Sequence, residues 1–152
     1  MRYIITGGSG IVGSRLAASL IPDGHEVVIL SRNPASAQPR AGVQALRWDA
    51  RTAAGWGHLV DGDTAIINLA GETIGGSGTI PMPGTWSDER KQRIKQSRQH
   101  AGQAVVAAVA AAPVKPRVVV QMSGIDYYPS SDTEMTEGSP RGRQFLADVV
   151  AD

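Results

Sequence analysis

Tyr3-Ile4-Ile5-Thr6-Gly7-Gly8-Ser9-Gly10-Ile11-Val12-Gly13 is the stretch on which the reading of this 152-residue chain turns. A short β-branched and aliphatic run gives way to a glycine-rich turn, and the turn opens into an apolar pattern with helical spacing. Gly7, Gly10 and Gly13 stand three apart. In such a strand–turn–helix unit the first glycine permits the tight turn, the second allows close approach to the backbone, and the third lets helix pack on strand. The helix is predicted from Gly10 to Leu20, with Ile11, Val12, Leu16 and Leu20 on one apolar stripe, until Asp23-Gly24 breaks it.

Working outward, apolar runs bounded by turn residues alternate with helical stretches, the pattern of parallel strands joined by crossover helices. Strands are predicted at Tyr3–Thr6, Glu26–Leu30, Val43–Arg47, Thr64–Leu69 and Arg117–Met122. They lack clean alternation, as expected where both faces are buried. The longest helix should follow Ser87, a residue suited to N-capping, with Asp88 and Glu89 at the positive end of the dipole. Its apolar face reads Ile94, Ala101, Val105, Ala108 and Ala112, and Pro113 stops it. A last helix should begin near Arg143. The segment from Gly71 to Trp86 holds five glycines and two prolines in sixteen residues and is expected to be a mobile loop. The expected fold is α/β, a Rossmann-type doubly wound parallel sheet of about five strands in the order 3-2-1-4-5, with residues 1–152 forming one domain.

Composition narrows the function. Fifteen Lys and Arg against 14 Asp and Glu leave a net charge of +1, so no global field draws the chain to nucleic acid or an anionic membrane, and anion binding must be local. The absence of cysteine removes disulfides, thiolate catalysis and cysteine zinc sites. His25, His58 and His100 are isolated from ligands at metal spacing, so no metal site is expected. The apolar run at the N-terminus is too short for a signal peptide, no stretch is long enough for a membrane span, and a cytoplasmic protein is the default expectation.

The glycine loop has a specific physical use. Backbone N–H groups at the mouth of a helix, together with its dipole, form a seat for a diphosphate. The end of the second strand then decides between dinucleotides. A carboxylate there would bind the ribose 2′-hydroxyl of NAD, whereas this chain has Leu30-Ser31-Arg32-Asn33. Arg32 can pair with a 2′-phosphate while Ser31 donates a hydrogen bond, so NADP(H) is favoured over NAD(H).

IITGGSGIVG at 4–13, INLAGE at 67–72, WSDERKQRIKQSR at 86–98, MSGIDYYP at 122–129 and GRQFLA at 142–147 occur in one order along the chain. Together they resemble the epimerase-family branch of the atypical or extended short-chain dehydrogenase/reductases, relatives of the nucleotide-sugar epimerases, over their N-terminal half. The resemblance implies a dinucleotide across the carboxyl ends of the strands. Gly7, Gly10, Ile11, Val12 and Gly13 would hold its diphosphate, and Ser31 and Arg32 its adenosine end. Asp49 would sit near the adenine. Asn68, Leu69, Ala70 and Gly71 would line the ribose and nicotinamide side, although Asn68 can equally tie two strand ends together and Asp49 serve as a turn residue. Ser123 falls where the superfamily keeps a serine for the substrate carbonyl, and Tyr128 is a second candidate for chemistry.

One departure bears on catalysis. The superfamily's Tyr-x-x-x-Lys pair, in which the lysine lowers the tyrosine pKa for proton transfer, is replaced by Phe145 and Val149. A phenyl ring cannot transfer a proton. The basic residues Arg90, Lys91, Arg93, Lys95 and Arg98 read as a solvated helix face, with Lys95 and Arg98 able to reach a bound phosphate. The resembled proteins run to about twice this length, their later strands covering the sheet edge and a lobe closing on substrate. The chain is therefore expected to be truncated before that lobe, or to assemble with a partner or its own copies. The functional expectation is the NADP(H)-binding domain of an epimerase-, dehydratase- or reductase-like protein with a sugar-nucleotide or carbonyl substrate. A non-catalytic dinucleotide-binding protein is the alternative.

Overall fold

The computed structural model describes residues 1–37, 41–75 and 86–152. Five strands, β1 (Arg2–Thr6), β2 (Glu26–Ser31), β3 (Val43–Arg47), β4 (Thr64–Asn68) and β5 (Val118–Gln121), form one sheet in the order β3-β2-β1-β4-β5. Every pairing is parallel. Helix α1 (Ile11–Leu20) crosses from β1 to β2, and helix α2 (Asp88–Ala111) precedes β5. Most of the predicted glycine- and proline-rich loop, residues 76–85, lies outside the described residues.

The chain divides into two compact units. The first, residues 1–71 and 97–122, holds the whole sheet, α1 and the C-terminal part of α2. Its two apolar layers follow strand alternation. Ile4, Val28, Leu30 and Ile66 meet Ala101, Ala104, Val105 and Ala108 of α2 on one face. On the other, Ile5, Val27 and Ile29 pack with Ala17, Leu16 and Leu20 of α1. The small alanines let α2 lie close to the branched side chains of the strands, and the face read from sequence, Ile94 through Ala112, is buried throughout. Ser87 caps α2 by accepting the Arg90 amide at 3.3 Å.

Two expectations are corrected here. Ile11 and Val12 are 80% and 56% exposed, so they do not share a buried stripe with Leu16 and Leu20. The buried residues of α1 are Gly13 and Ala17, which bring the helix close to the sheet. The β5 valines are not covered on both faces: Val118, Val119 and Val120 are 42–47% exposed, on the strand that ends the sheet among the described residues.

A tight turn closes β3. Asp49 Oδ1 accepts the amides of Arg51 and Thr52, each at 2.8 Å, and Oδ2 accepts the Thr52 hydroxyl at 2.8 Å. Ala50 adopts φ 62° within it. The Thr52 carbonyl so presented receives the indole N–H groups of both Trp48 (2.7 Å) and Trp56 (3.0 Å). The Thr52 amide chiefly, helped by the Arg51 amide and the Thr52 hydroxyl, holds the Asp49 carboxyl below its ordinary value of 3.8 against the opposing effect of desolvation.

The second unit, residues 72–96 and 123–152, contains the first turns of α2 and helix α3 (Phe145–Ala151). Trp86 meets Phe145 edge-on at 5.9 Å, and Gln144 donates to the carbonyls of Asp126 and Tyr128 at 2.9 and 2.7 Å. Helix α3 starts two residues later than predicted, after Gln144, whose backbone is still extended.

Ile66→Ala should lower unfolding free energy by about 3 kcal/mol, and Val119→Ala by about 1 kcal/mol or less. Urea denaturation reads both, and equal losses would contradict the assignment of β5 as the exposed edge. Because the folded-state pKa of Asp49 is depressed, its contribution is full above about pH 4 and is lost as pH falls through the lower folded value. Asp49→Asn should therefore show a shallower loss of stability between about pH 4 and pH 2 than the parent, checked by urea midpoints across that range.

Candidate functional site: the carboxyl ends of β1 and β4

The turn after β1 is built from contacts that no side chain could occupy. Gly7 has φ +66°, and a Cβ there would stand 3.0 Å from the Leu69 carbonyl carbon and oxygen. At Gly8 a Cβ would fall 2.5 Å from Ile29 Cγ2, and at Gly13 it would fall 2.6 Å from Gly8 Cα. The loop thus packs its backbone against the backbone of Leu69 at Gly7, against the Ile29 side chain at Gly8 and against itself at Gly13, which carries α1 in over the sheet. Gly8 was not singled out in the sequence reading, yet it is as tightly enclosed as Gly13. Gly10 donates to the Gly7 carbonyl at 2.9 Å and is the N-cap of α1 without a side-chain acceptor. The first helical bond of α1 runs from the Ser14 amide to the Gly10 carbonyl, at 2.9 Å. The amides of Ile11, Val12 and Gly13 precede it and lie at the positive end of the helix. With no acidic residue in the first turn of α1, the donor set fits an anionic group such as a diphosphate.

A polar tie holds the strand ends beside this loop. Thr6, Asn68 and Gln121 stand level in the register of β1, β4 and β5. The buried Thr6 hydroxyl donates to Asn68 Oδ1, and Asn68 Nδ2 donates to Gln121 Oε1 at 2.7 Å. The Ala70 amide donates to Thr6 Oγ1 (3.3 Å) and Asn68 Oδ1 (3.4 Å), and Leu69 donates to the Thr6 carbonyl at 3.2 Å. Asn68 thus serves as the strand tie that its sequence position allowed. Thr6 and Gln121 were missed, although each is a polar residue that ends an apolar run. The tie orients the Leu69–Ala70 backbone that Gly7 abuts. Gly71, next along, is exposed and has the Arg98 side chain against it.

At the end of β2, the half-buried Ser31 accepts the Asn33 amide on its hydroxyl at 3.2 Å, and Arg32 is exposed. Asp49 follows β3 with its carboxylate engaged by its own turn. All twelve residues read as cofactor-binding fall in the first unit, whereas Ser123 and Tyr128 fall in the second. Ser123 is exposed. Tyr128 is half-buried, its ring edge-on to Tyr127 at 5.2 Å.

The basic stretch of α2 is not a simply solvated face. Arg90 donates to the carbonyls of Thr73 (2.9 Å) and Ile74 (3.3 Å). Arg93 pairs with Glu72 at 3.3 Å, Lys91 with Asp88 at 3.4 Å, and Lys95 with Asp152. Lys95 therefore closes an ion pair at the end of α3 instead of standing ready for a phosphate. No group of metal-ligating side chains is found among the described residues, and no described helix is long and apolar enough to cross a membrane.

Known proteins share this architecture. The epimerase family protein SDR39U1 homolog, chloroplastic, of Arabidopsis thaliana is 32% identical over 98% of this chain and 42% of its own length. Epimerase family protein SDR39U1 of Bos taurus is 33% identical over 99% of this chain and 46% of its own. The crystal structure of human epimerase family protein SDR39U1 (isoform 2) with NADPH superposes with a TM-score of 0.77 at 32% identity, over 99% of this chain and 46% of that one. The UDP-glucose-4-epimerase of Stenotrophomonas maltophila, solved with bound NAD and formylated UDP-arabinopyranose, shares the fold. Its TM-score is 0.75 at 20% identity, over 99% of this chain and 46% of that one. The chain spans about half the length of the curated relatives it matches. A family model described as NAD(P)H-binding matches residues 7–149, and the chain belongs to that family.

Proposed function

We propose that this chain is the dinucleotide-holding part of an epimerase- or reductase-like short-chain dehydrogenase, that it takes NADP(H) in preference to NAD(H), and that the whole protein acts on a sugar-nucleotide or carbonyl substrate. The observation that carries the reading is the turn at Gly7–Gly13, where side-chain-free packing leaves the first amides of α1 without a capping side chain. Those amides would hold the diphosphate. The exposed Ile11 and Val12 would shield the bound cofactor's flank from water.

Arg32 and Ser31 would receive the 2′-phosphate, a reading supported by the absence of a carboxylate at the end of β2 and by the NADPH of the human relative's structure. Asp49 would act through the turn it fixes beside the adenosine end. Leu69, Ala70 and Gly71 would offer backbone to the ribose and nicotinamide side, with Asn68 orienting them. The bound nicotinamide supplies hydride transfer. Ser123 would donate its hydroxyl to a substrate carbonyl, and Tyr128 is the candidate for proton transfer, since Phe145 has no proton to give.

Titration calorimetry of the purified protein with NADPH and NADH tests this. Both should bind, NADPH more tightly, and Arg32→Asp should weaken NADPH about 10- to 100-fold while changing NADH by no more than about threefold. Unchanged NADPH affinity in that variant would remove the 2′-phosphate assignment, and no heat with either coenzyme would remove the dinucleotide reading. Gly13→Val, whose side chain must enter the Gly8 backbone, should abolish binding of both.

A further inference from the structure

Charge is segregated along the strands of the first unit. At their amino ends Arg2 pairs with Glu26 at 3.0 Å and with Asp61 at 2.9 Å, and the terminal ammonium pairs with Asp63 at 3.2 Å. Between Glu26 and Asp61 the sequence holds four arginines, Arg32, Arg40, Arg47 and Arg51, against a single acid, Asp49. Arg40 lies outside the described residues, and the Asp49 carboxylate is engaged by the Arg51 and Thr52 amides and the Thr52 hydroxyl. Arg47 is the last residue of β3, and its register partner is Ser31, the last residue of β2. The Trp48 amide donates to the Ser31 carbonyl at 2.9 Å, so the two strand ends are held level, about 4.8 Å apart. Val27 and Ile29 before Ser31, and Val43 and Ala45 before Arg47, all pack in the layer of α1, while Leu46 and Trp48 pack in the opposite layer. Alternation thus sets Ser31 and Arg47 side by side on the face that α1 covers. Arg32 and Arg47 are both exposed, and neither is ion-paired among the described residues.

We propose that Arg47 is a second specificity-determining cation of the coenzyme site, which, on the NADP(H) reading given above, holds the 2′-phosphate together with Ser31 and Arg32 across the ends of β2 and β3. A phosphate monoester carries about −1.5 to −2 charge at pH 7, so one guanidinium leaves part of that charge uncompensated. A second, arriving from the neighbouring strand, neutralises the remainder and adds further N–H donors in a planar fork. NAD(H) presents an uncharged hydroxyl at the same place, so Arg47 distinguishes the two coenzymes without touching what they share. The Asp49 turn contributes by keeping the one nearby carboxylate bonded to its own backbone, which leaves both guanidinium groups to the anion.

Calorimetry with NADPH and NADH on the parent, Arg47→Gln, Arg47→Lys, Arg32→Gln and the double variant Arg32→Gln/Arg47→Gln decides it. Arg47→Gln should weaken NADPH about tenfold and change NADH by no more than about threefold. Arg47→Lys should lose less, because it keeps the charge and gives up only the fork. The double variant should bind the two coenzymes within about threefold of each other. Between about pH 5 and pH 8 the parent's preference for NADPH should rise as the phosphate gains its second charge near pH 6, and the rise should be smaller in Arg47→Gln. An undiminished preference in Arg47→Gln, or a loss shared equally by both coenzymes, overturns the assignment. A parent that prefers NADPH and loses that preference with Arg32→Gln but not with Arg47→Gln sinks Arg47 alone, whereas a parent with no preference sinks the 2′-phosphate reading of Arg32 as well. Thermal melts report whether each variant folds, and should Arg47→Gln fail to fold, the Arg47→Lys titration carries the test.

Discussion

Close approach of a backbone without side chains at the first crossover is the constraint on which the rest of the structure depends. Gly13 lies against Gly8, Gly8 against Ile29 and Gly7 against Leu69, so α1, β2 and β4 are all positioned from one short turn. With no Cβ between them, helix and sheet come close enough for Ala17 to reach the layer of Ile5, Val27 and Ile29. Helix α1 opens from the same turn with no capping side chain and no acidic residue in its first turn, so the packing that fixes the fold also sets the place of the amides proposed above to hold an anion.

The polar tie of Thr6, Asn68 and Gln121 completes that arrangement. Burying an amide and a hydroxyl is costly unless each finds a partner, and here the parallel register places three such groups at one level. The result is a fixed path for residues 69–71, the segment that abuts both the glycine turn and Arg98. Rigidity at the strand ends lowers the entropic cost of ordering a ligand there.

Much of this was legible from local pattern. The strand starts and the α2 face could be read because hydrophobic periodicity and a capping serine are local signals, and the 3-2-1-4-5 order followed from the strand–turn–helix motif that opens the chain. Ile11 and Val12 were misplaced because spacing alone cannot tell a residue that faces the core from an apolar one that the turn leaves exposed. The β5 valines read as buried because edge position is set by what pairs with a strand, not by its composition. The ties that span the sequence escaped for a similar reason: Asn68 and Gln121 are 53 residues apart, and only the parallel register makes them neighbours. The partners of Arg93 and Lys95 are likewise distant in sequence, so a run of charge looked like a hydrated surface.

The edge strand has a bearing on how the molecule behaves in concentrated solution. Val118-Val119-Val120-Gln121 carries no charge, and Arg117 stands at its threshold with its amide bonded to the Thr64 carbonyl at 2.8 Å. A neutral, β-branched margin of this kind can pair with a further strand, whether of the same protein or of another molecule, and where it is left unpaired it is a template for association. A lysine introduced at Val119 would act as a gatekeeper against such colloidal self-association, and it would do so far from the glycine turn where the coenzyme is proposed to sit.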